Sequence, residues 1–148
     1  MDSDTNTIII GAGPAGLAVG AVLRRAKVPF VMLERAARVG DSWHRHYDRL
    51  HLHTPKSHSA LPHHAYPRAY PRYPSRQQFV EYLDDYARTF ALETEFGRDV
   101  QRVVRGADGA WEVATNAGSY RGRHVVVATG YNRVPNVPHW PGEETLPG

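Results

Sequence analysis

A glycine-rich turn between a short apolar strand and a small-residue helix constrains the fold of this chain most. The turn is Gly11-Ala12-Gly13-Pro14-Ala15-Gly16, and it follows the β-branched run at residues 7–10. A short apolar run that stops at a glycine is typical of a parallel strand buried on both faces. Proline suits the first helical position because the N–H that it lacks has no helical partner there. The sequence therefore predicts a strand, a tight turn and a helix.

A second strand follows after the length that one crossover connection needs. Pro29 ends the helix, and residues 30–33 form a second buried apolar run that finishes at Glu34. A βαβ unit takes about 30 residues, which matches this stretch. We therefore predict an α/β fold, with a Rossmann-like parallel sheet and a crossover helix.

The turn has the composition of a dinucleotide-binding loop. Gly11 permits the tight turn, Gly13 lets the backbone approach a diphosphate, and Gly16 and Gly20 allow the helix and strand to pack closely. The helix N-terminus offers unpaired N–H groups to phosphate oxygens. Glu34, eighteen residues beyond Gly16, is placed to accept hydrogen bonds from a ribose 2′-hydroxyl. This loop does not distinguish FAD from NAD, because both cofactors contain the same diphosphate.

The stretch from residue 35 to 74 is aperiodic and long. It contains five of the prolines and seven of the nine histidines, and loops of this length in compact domains are more often functional than passive. Residues 75–78 then form a capping box, with Ser75 as N-cap and Gln78 at the third helical position. The helix that follows places its apolar residues on one face, so we assign it to the core and give it no chemistry.

The last third of the chain predicts a small antiparallel β-meander. Residues 100–104 and 111–115 have strand character and are joined through the turn signal Asp108-Gly109. Residues 119–121 would add a third short strand, and residues 124–128 form a separate buried run that ends at Thr129-Gly130. The expected fold is thus a parallel sheet with a small meander, in one domain over residues 1–148.

Composition argues against several other classes of function. The net charge of +3 is spread along the chain rather than concentrated in a stripe, so we expect no nucleic-acid partner. There is no cysteine, and the spacings of the histidines match no zinc or iron ligand pattern, so we expect no metal site. The acidic N-terminus predicts no signal peptide, and no apolar run reaches the ~18 residues that span a bilayer. We expect a cytoplasmic protein with no membrane association.

Four further segments resemble the class B flavoprotein monooxygenases, in particular the plant YUCCA-type and bacterial flavin-containing enzymes. Gly40-Asp41-Ser42-Trp43 resembles the family's G-G-x-W segment, although Asp41 stands where a second glycine is usual. The other segments are residues 47–56, the Tyr73-Pro74-Ser75 segment with its helix, and Ala128-Thr129-Gly130 with the proline-rich exit at Pro135, Pro138 and Gly142. The matches run in order from Ile8 to Gly142.

The resemblance implies an FAD-dependent, NAD(P)H-using monooxygenase. Such an enzyme inserts one oxygen atom from O₂ into a small-molecule substrate by way of a flavin C4a-peroxide. The resemblance assigns Gly11, Gly13, Pro14, Ala15 and Gly16 to the diphosphate, with Glu34 and its neighbour Arg35 at the adenosine ribose. It assigns Ser42, Trp43, His53 and Thr54 to the flavin, backbone at Val100 to the adenine, and Ala128, Thr129 and Gly130 to closure over the cofactor. The alternative interpretation of Trp43 is a plain core aromatic. No residue is assigned as catalytic.

The family's F-x-G-x-x-x-H signature and its second glycine motif, for NADPH, do not occur in these residues. We therefore expect residues 1–148 to be the N-terminal FAD-binding part of a longer enzyme, without the NADPH-binding domain and the C-terminal completion. One alternative is an FAD-dependent dehydrogenase or reductase on the same fold, although the lack of a C-x-x-x-x-C pair argues against the disulfide type. Another is a catalytically inactive FAD-binding fragment. The substrate, the choice of NADPH or NADH and the oligomeric state stay open.

Overall fold

The computed structural model describes residues 3–131 and 136–145, and it contains one five-stranded sheet with helices packed against it. The strands are β1 (Ser3–Ile10), β2 (Phe30–Leu33), β3 (Val100–Arg105), β4 (Trp111–Thr115) and β5 (Gly118–Val127). The helices are α1 (Pro14–Arg25), α2 (Asp41–His44), α3 (Lys56–Ser59) and α4 (Arg76–Thr89), and a 3₁₀ turn covers Glu143–Thr145. The α/β class is confirmed.

The sheet order is β2-β1-β5-β4-β3, and its two halves differ in direction. β1 pairs in parallel with β2 and with β5, whereas β4 is antiparallel to both of its neighbours, β5 and β3. The predicted parallel sheet and meander are therefore both present, as parts of one continuous sheet. The Asp108-Gly109 turn is also confirmed, since Gly109 has a φ of +83° and its amide donates to the Gly106 carbonyl.

The prediction of two separate strands near the end of the chain was wrong. Residues 119–121 and 124–127 lie in the single strand β5, which pairs with β1 on one side along its length and with β4 over residues 118–122. Tyr120 and Gly122 are buried, while Arg121 and Arg123 are exposed. The arginines thus continue the alternation of a strand with one buried face instead of ending it.

Successive side chains of β1 point to opposite sides of the sheet, and residues 7–10 are all buried because a core cluster covers each side. The predicted buried run at residues 124–128 is only partly buried, with His124 and Val127 exposed. Ile9 and Met32 pack with α1 and α4 in one core cluster, whose largest members include Leu17, Tyr82 and Tyr86. Ile8, Ile10 and Leu33 belong to a second cluster with Val113 and Tyr120 of the meander. The meander therefore covers the face of the parallel strands that the helices leave open.

The predicted capping box opens α4. The Gln78 amide donates to Ser75 Oγ at 3.2 Å, and the Ser75 amide donates to Gln78 Oε1 at 2.9 Å. The buried face of α4 carries Phe79, Tyr82, Leu83 and Tyr86, as the apolar pattern predicts. This helix is the platform on which the aperiodic stretch rests.

Backbone and phenol hydrogen bonds attach the aperiodic stretch to α4. The Leu52 amide donates to the Pro74 carbonyl and the Lys56 amide donates to the Arg72 carbonyl, so two parts of the stretch run side by side. The Lys56 ammonium donates to the carbonyls of Pro67, Arg68 and Tyr70 at 3.3, 2.9 and 2.5 Å. Tyr82 Oη donates to the His64 carbonyl at 2.6 Å. The stretch is therefore a fixed wall of the molecule and includes the one-turn helices α2 and α3.

The proline-rich exit is only partly within the described residues. Pro138 and Pro141 are exposed and precede the 3₁₀ turn. Pro135 and Pro147 lie outside the described residues.

Candidate functional site

A cleft of about 870 Å³ opens at the carboxyl ends of the three parallel strands. Ile10, Leu33 and Val127, the last residues of β1, β2 and β5, line its floor. Open α/β sheets bind their ligands at this edge. The cleft brings together all the site residues that the sequence predicts except Gly16: Gly11, Gly13, Pro14, Ala15, Glu34, Arg35, Ser42, Trp43, His53, Thr54, Val100, Ala128, Thr129 and Gly130.

Gly11 connects the ends of the three parallel strands. Its amide donates to the Leu33 carbonyl at 2.7 Å, and a Cβ built on it would lie 2.5 Å from the Ala128 carbonyl oxygen. Its φ of +107° lies in the region that side chains disfavour. Any other residue here would therefore separate β1 from the strand end that carries Thr129 and Gly130.

Gly13 has a different role, because its backbone conformation does not require glycine. Its φ is −82°, and no described atom lies within 4 Å of a Cβ built there. The missing side chain leaves room in the cleft itself, directly before α1. Gly13 is the N-cap and makes no side-chain cap bond, and the first amide to bond back along the helix is that of Leu17, at 3.0 Å from the Gly13 carbonyl. The amides of Ala15 and Gly16 thus have no partner within the helix, and that of Ala15, which lines the cleft, is available to an anion.

Gly16 is buried below the loop and does not line the cleft. A Cβ on Gly16 would overlap the Gly11 carbonyl oxygen, and one on Gly20 would lie 2.7 Å from Met32 Cε. Both glycines therefore allow the close helix-to-sheet packing that the sequence predicts.

Glu34 follows β2 and is fixed by two backbone amides. Its Oε2 accepts from the Ala12 amide at 2.8 Å and its Oε1 accepts from the Ala36 amide at 2.9 Å. Each carboxylate oxygen has a further lone pair. The half-buried carboxylate thus joins the glycine loop to β2 and presents an oriented acceptor to the cleft.

The turn at residues 40–43 forms the wall next to the glycine loop. The Gly40 amide donates to the Ala12 carbonyl at 2.9 Å, and Gly40 has a φ of +60°. Trp43 packs its ring edge-on against Phe79 of α4, with ring centroids 4.4 Å apart, and it also lines the cleft. Trp43 therefore belongs both to the core and to the site, and the two readings of it are compatible.

Ser42, His53 and Thr54 are exposed on the cleft side of the aperiodic stretch. Thr54 Oγ1 lies 2.5 Å from Ser59 Oγ, so its hydroxyl is already engaged with α3. Across the cleft, the Ala128 amide donates to the Ile10 carbonyl at 2.8 Å and extends the β1–β5 pairing by one residue. Thr129 is exposed, and Gly130 turns the chain away with a φ of +71°.

A polar network lies beside Val100 at the other end of the cleft. Arg98 Nε donates to Glu95 Oε2 and to Tyr120 Oη, each at 3.1 Å, and Tyr120 Oη donates to Glu95 Oε2 at 2.6 Å. The hydrogen bonds that Arg98 donates to Glu95 and Tyr120 raise the pKa of its guanidinium. Burial, followed by its bond to Glu95, raises the pKa of Tyr120. Arg98 is thus a fixed cation at the rim.

Sequence reasoning missed several charged and aromatic residues of the cleft, among them Arg45, His46, Arg98 and Arg102. Arg98 precedes β3 and Arg102 lies within it, and the cleft is lined by all residues from 98 to 103, so the alternation of a strand does not single out the two arginines. Arg45 and His46 had no sequence signal either, because α2 is a single turn within an aperiodic stretch.

The described part of the chain has two relevant absences. No group of three or more His, Cys, Asp or Glu side chains in residues 3–131 and 136–145 could hold a metal ion. None of the helices in these same ranges is long and apolar enough to cross a membrane.

Comparison with protein families shows which class of protein the chain resembles. The family model described as pyridine nucleotide-disulphide oxidoreductase matches residues 8–147. The chain is 43% identical over 144 residues to indole-3-pyruvate monooxygenase YUCCA1 of Oryza sativa subsp. japonica, a match that covers 95% of the chain and 36% of that relative. The chain therefore spans about a third of the length of the curated relatives it matches.

Solved structures agree with this comparison. A flavin-containing monooxygenase from Stenotrophomonas maltophilia superposes with a TM-score of 0.84 at 29% identity, covering 93% of this chain and 42% of that one. The bacillithiol disulfide reductase Bdr from Bacillus cereus also superposes with a TM-score of 0.84, at 26% identity. That match covers 96% of this chain and 44% of the reductase chain. The resemblance to flavoprotein monooxygenases is confirmed, and the fold is shared with a reductase.

Proposed function

The chain belongs to the pyridine nucleotide-disulphide oxidoreductase family and resembles its flavin monooxygenases, and on that premise we propose that it is the FAD-binding portion of an NADPH-dependent monooxygenase. The observation that carries the proposal is the cleft, which gathers the glycine loop, Glu34, the wall at residues 40–54 and the end of β5 around one space. We further propose that residues 1–148 correspond to the N-terminal, FAD-binding third of the longer relatives.

The residues present fit FAD. The space left by Gly13 and the amide of Ala15 at the start of α1 suit a diphosphate, because both a backbone donor and room are available there. Glu34 is an oriented acceptor for ribose hydroxyls. The neighbouring Arg35 and the backbone at Val100 would hold the adenosine end.

The flavin end would lie along the wall at residues 40–54. Trp43 and Ser42 would contact the flavin side, and His53 and Thr54 would lie near the ring system. Ala128, Thr129 and Gly130 would close the cleft from the β5 side. When bound, FAD supplies the redox chemistry: it accepts a hydride from NADPH and allows one atom of O₂ to be transferred to a small-molecule substrate. The protein contributes binding, orientation and exclusion of water.

We assign no residue of this chain as a general acid or base for this reaction, and we propose that NADPH and substrate contacts come mainly from parts of the relatives that this chain does not match. We also propose a cytoplasmic location and no nucleic-acid or membrane partner. Purified chain mixed with FAD and NADPH is expected to bind FAD without sustained NADPH oxidation. Steady NADPH oxidation with substrate would contradict the proposal that NADPH and substrate are bound mainly by other parts of the relatives.

Substitution at Gly13 gives the sharpest test of FAD binding. A Cβ built on Gly13 has no described atom within 4 Å apart from its chain neighbours, and the φ of Gly13 suits a β-branched residue, so the fold of Gly13→Val is expected to persist. The added side chain fills the cleft where the diphosphate would lie, and we expect the Kd for FAD to rise at least about 100-fold, since charge-assisted hydrogen bonds are lost together. Titration of flavin fluorescence measures this.

The matched control for Gly13→Val is Ala60→Val. Ala60 is exposed, has extended backbone and does not line the cleft. Ala60→Val should therefore leave the Kd for FAD within about twofold of the wild-type value, as surface substitutions remote from a site usually do. Equal FAD binding by wild type and Gly13→Val would refute the assigned diphosphate position.

A second candidate function is an FAD-dependent reductase on the same fold. The similarity to bacillithiol disulfide reductase favours it. The chain contains no cysteine, so a dithiol relay within these residues is excluded. Incorporation of ¹⁸O from O₂ into the product of the full-length parent supports the oxygenase, whereas NADPH consumption that needs a disulfide or other acceptor and leaves the product unlabelled supports the reductase.

A further inference from the structure

Asp41 is the position at which the sequence departs from the G-G-x-W pattern, and its carboxylate lies between two arginines. Asp41 Oδ1 accepts from Arg38 Nε and Asp41 Oδ2 pairs with Arg45 Nη2, each at 3.0 Å. The Asp41 side chain is 17% exposed, against 53% for Arg38 and 61% for Arg45. The carboxylate is thus the half-buried centre of an ion triad.

The triad lies beside the glycine loop. Asp41 follows Gly40, whose amide donates to the Ala12 carbonyl. Asp41 begins α2 and Arg45 is its C-cap, so the pair is spaced i,i+4 on one side of a single helical turn. Asp41 and Arg45 both line the cleft, whereas Arg38 does not. The carboxylate therefore holds one guanidinium on the cleft side and one outside it.

An unaccompanied carboxylate at this position would oppose the binding of a diphosphate. Two like charges several Å apart in a partly buried site repel each other by an amount that matters for binding. The Arg45 guanidinium neutralises the Asp41 carboxylate. It also keeps donors for a phosphate, because a guanidinium has five N–H donors. In the described part of the chain, Asp41 is its one polar partner.

We propose that Asp41 is a positioning residue that holds Arg45 over the cleft, where the Arg45 guanidinium binds the diphosphate of the dinucleotide. This inference rests on the proposed function, since it assumes that FAD occupies the cleft. The Arg45 guanidinium would add a side-chain cation to an anion site that otherwise consists of backbone amides at the start of α1. Arginine suits this task because its planar donors match phosphate oxygens.

The test is a set of FAD titrations of the 148-residue chain at 50 and 500 mM NaCl, with wild type, Arg45→Met, Arg45→Lys, Asp41→Asn and the double variant D41N/R45M. Arg45→Met should raise the Kd about tenfold at low salt, which is the size expected for a lost charge-assisted hydrogen bond. It should also flatten the salt dependence, because salt screens the lost attraction. Arg45→Lys keeps the positive charge, so its Kd and its salt dependence should both lie between those of wild type and Arg45→Met.

The coupling between the two residues tests the positioning role. If Asp41 orients Arg45, Arg45→Met should change the Kd at least about threefold less in the Asp41→Asn background than in wild type, because contacting residues are not additive. Arg88→Met is the matched control, since Arg88 forms an exposed i,i+3 pair with Asp85 on α4, away from the cleft. It should leave the Kd and its salt dependence unchanged.

The outcomes separate this inference from the proposed function. A wild-type chain that binds FAD with the same Kd and salt dependence as Arg45→Met overturns the role of Arg45 alone. Equal effects of Arg45→Met in both backgrounds overturn the positioning role of Asp41. A wild-type chain that binds no FAD at either salt concentration overturns the proposed function, and this inference with it.

Discussion

Near the junction of the glycine loop and β2, single residues both stabilise local structure and line the cleft. Glu34 is the clearest case, because its two oxygens accept from the Ala12 and Ala36 amides while its carboxylate also lines the cleft. Trp43 likewise packs on Phe79 and faces the cleft. A substitution at either position changes local structure and the site together, so stability and binding must both be measured.

Glu34→Ala should weaken both the fold and FAD binding. Loss of the carboxylate leaves two backbone amides without their acceptor, and we expect the free energy of unfolding to fall by about 1–3 kcal/mol. The Kd for FAD should rise at least about tenfold, because an oriented acceptor for the ribose is lost as well. Urea unfolding and fluorescence titration measure the two effects.

Glu93→Ala serves as the control for Glu34→Ala, because Glu93 is exposed and does not line the cleft. It should be close to wild type in both measurements. If Glu34→Ala binds FAD as wild type does, the assignment of Glu34 to the ribose is wrong, whatever its effect on unfolding.

At the scale of elements, α4 acts as the support for the aperiodic stretch. Tyr82 is 2% exposed; its Oη donates to the His64 carbonyl at 2.6 Å and accepts from the Leu61 amide at 2.8 Å. Tyr86 Oη donates to the Pro62 carbonyl at 2.9 Å. These phenols attach residues 61–64 to the helix, and through that attachment they stabilise the wall of the cleft.

Removal of the Tyr82 hydroxyl is expected to loosen that wall. Tyr82→Phe leaves a carbonyl and an amide without a partner and should lower the free energy of unfolding by about 1–3 kcal/mol. It should also speed cleavage by a protease within residues 53–64, because local opening becomes easier. Tyr73→Phe is the control, since Tyr73 is 42% exposed. Equal cleavage rates in the two variants would show that these bonds do not hold the stretch in place.

At the scale of the whole molecule, the buried tyrosines predict how stability depends on pH. Burial, followed by the charge of Tyr82, raises the pKa of Tyr86 to about 12. Burial also raises the pKa of Tyr66 and of Tyr82. In the unfolded chain these phenols ionise near pH 10, about the ordinary value for tyrosine. Folding therefore keeps protons that the unfolded chain releases, and this contribution to stability is present below pH 10 and lost as pH rises toward 12.

The free energy of unfolding in urea should accordingly fall between about pH 10 and 11, by up to about 1.4 kcal/mol per pH unit for each such tyrosine. Tyr86→Phe should reduce the slope, because one of the titrating groups is removed. Tyr47→Phe, at a tyrosine that is 64% exposed, should not. A stability that stays constant from pH 9 to 11 would contradict this account.

The sheet also has an open edge that concerns the whole molecule. Within the described residues, β5 pairs with β4 only over residues 118–122, so residues 123–127 have a partner on the β1 side alone. Val127 is 68% exposed and Tyr131 is 93% exposed beside it. This edge is consistent with the proposal that the chain is part of a longer domain.

Much of the local structure follows from the sequence alone. The glycine turn, α1 from Pro14, β2 and the capping box at Ser75 all lie where the local pattern predicts them. β1 ends at Ile10 as predicted, but it begins four residues earlier than the apolar run, at Ser3. These features depend on contacts between residues close in the chain. The predicted cleft residues also come together, because parallel strands bring their carboxyl ends to one edge of a sheet whatever the other details of the fold.

Only the tertiary structure decided how distant segments combine. The union of two expected strands into β5 depends on pairing with β1, and the cover over Ile8 and Ile10 depends on the packing of the meander. Arg45 enters the cleft through an ion pair with Asp41 in a stretch that has no periodicity. Register, packing and ion pairing join residues far apart in sequence or outside regular elements, and local patterns carry little information about them. The sequence by itself determined that a dinucleotide-type loop forms, and the tertiary structure decided which charges surround it.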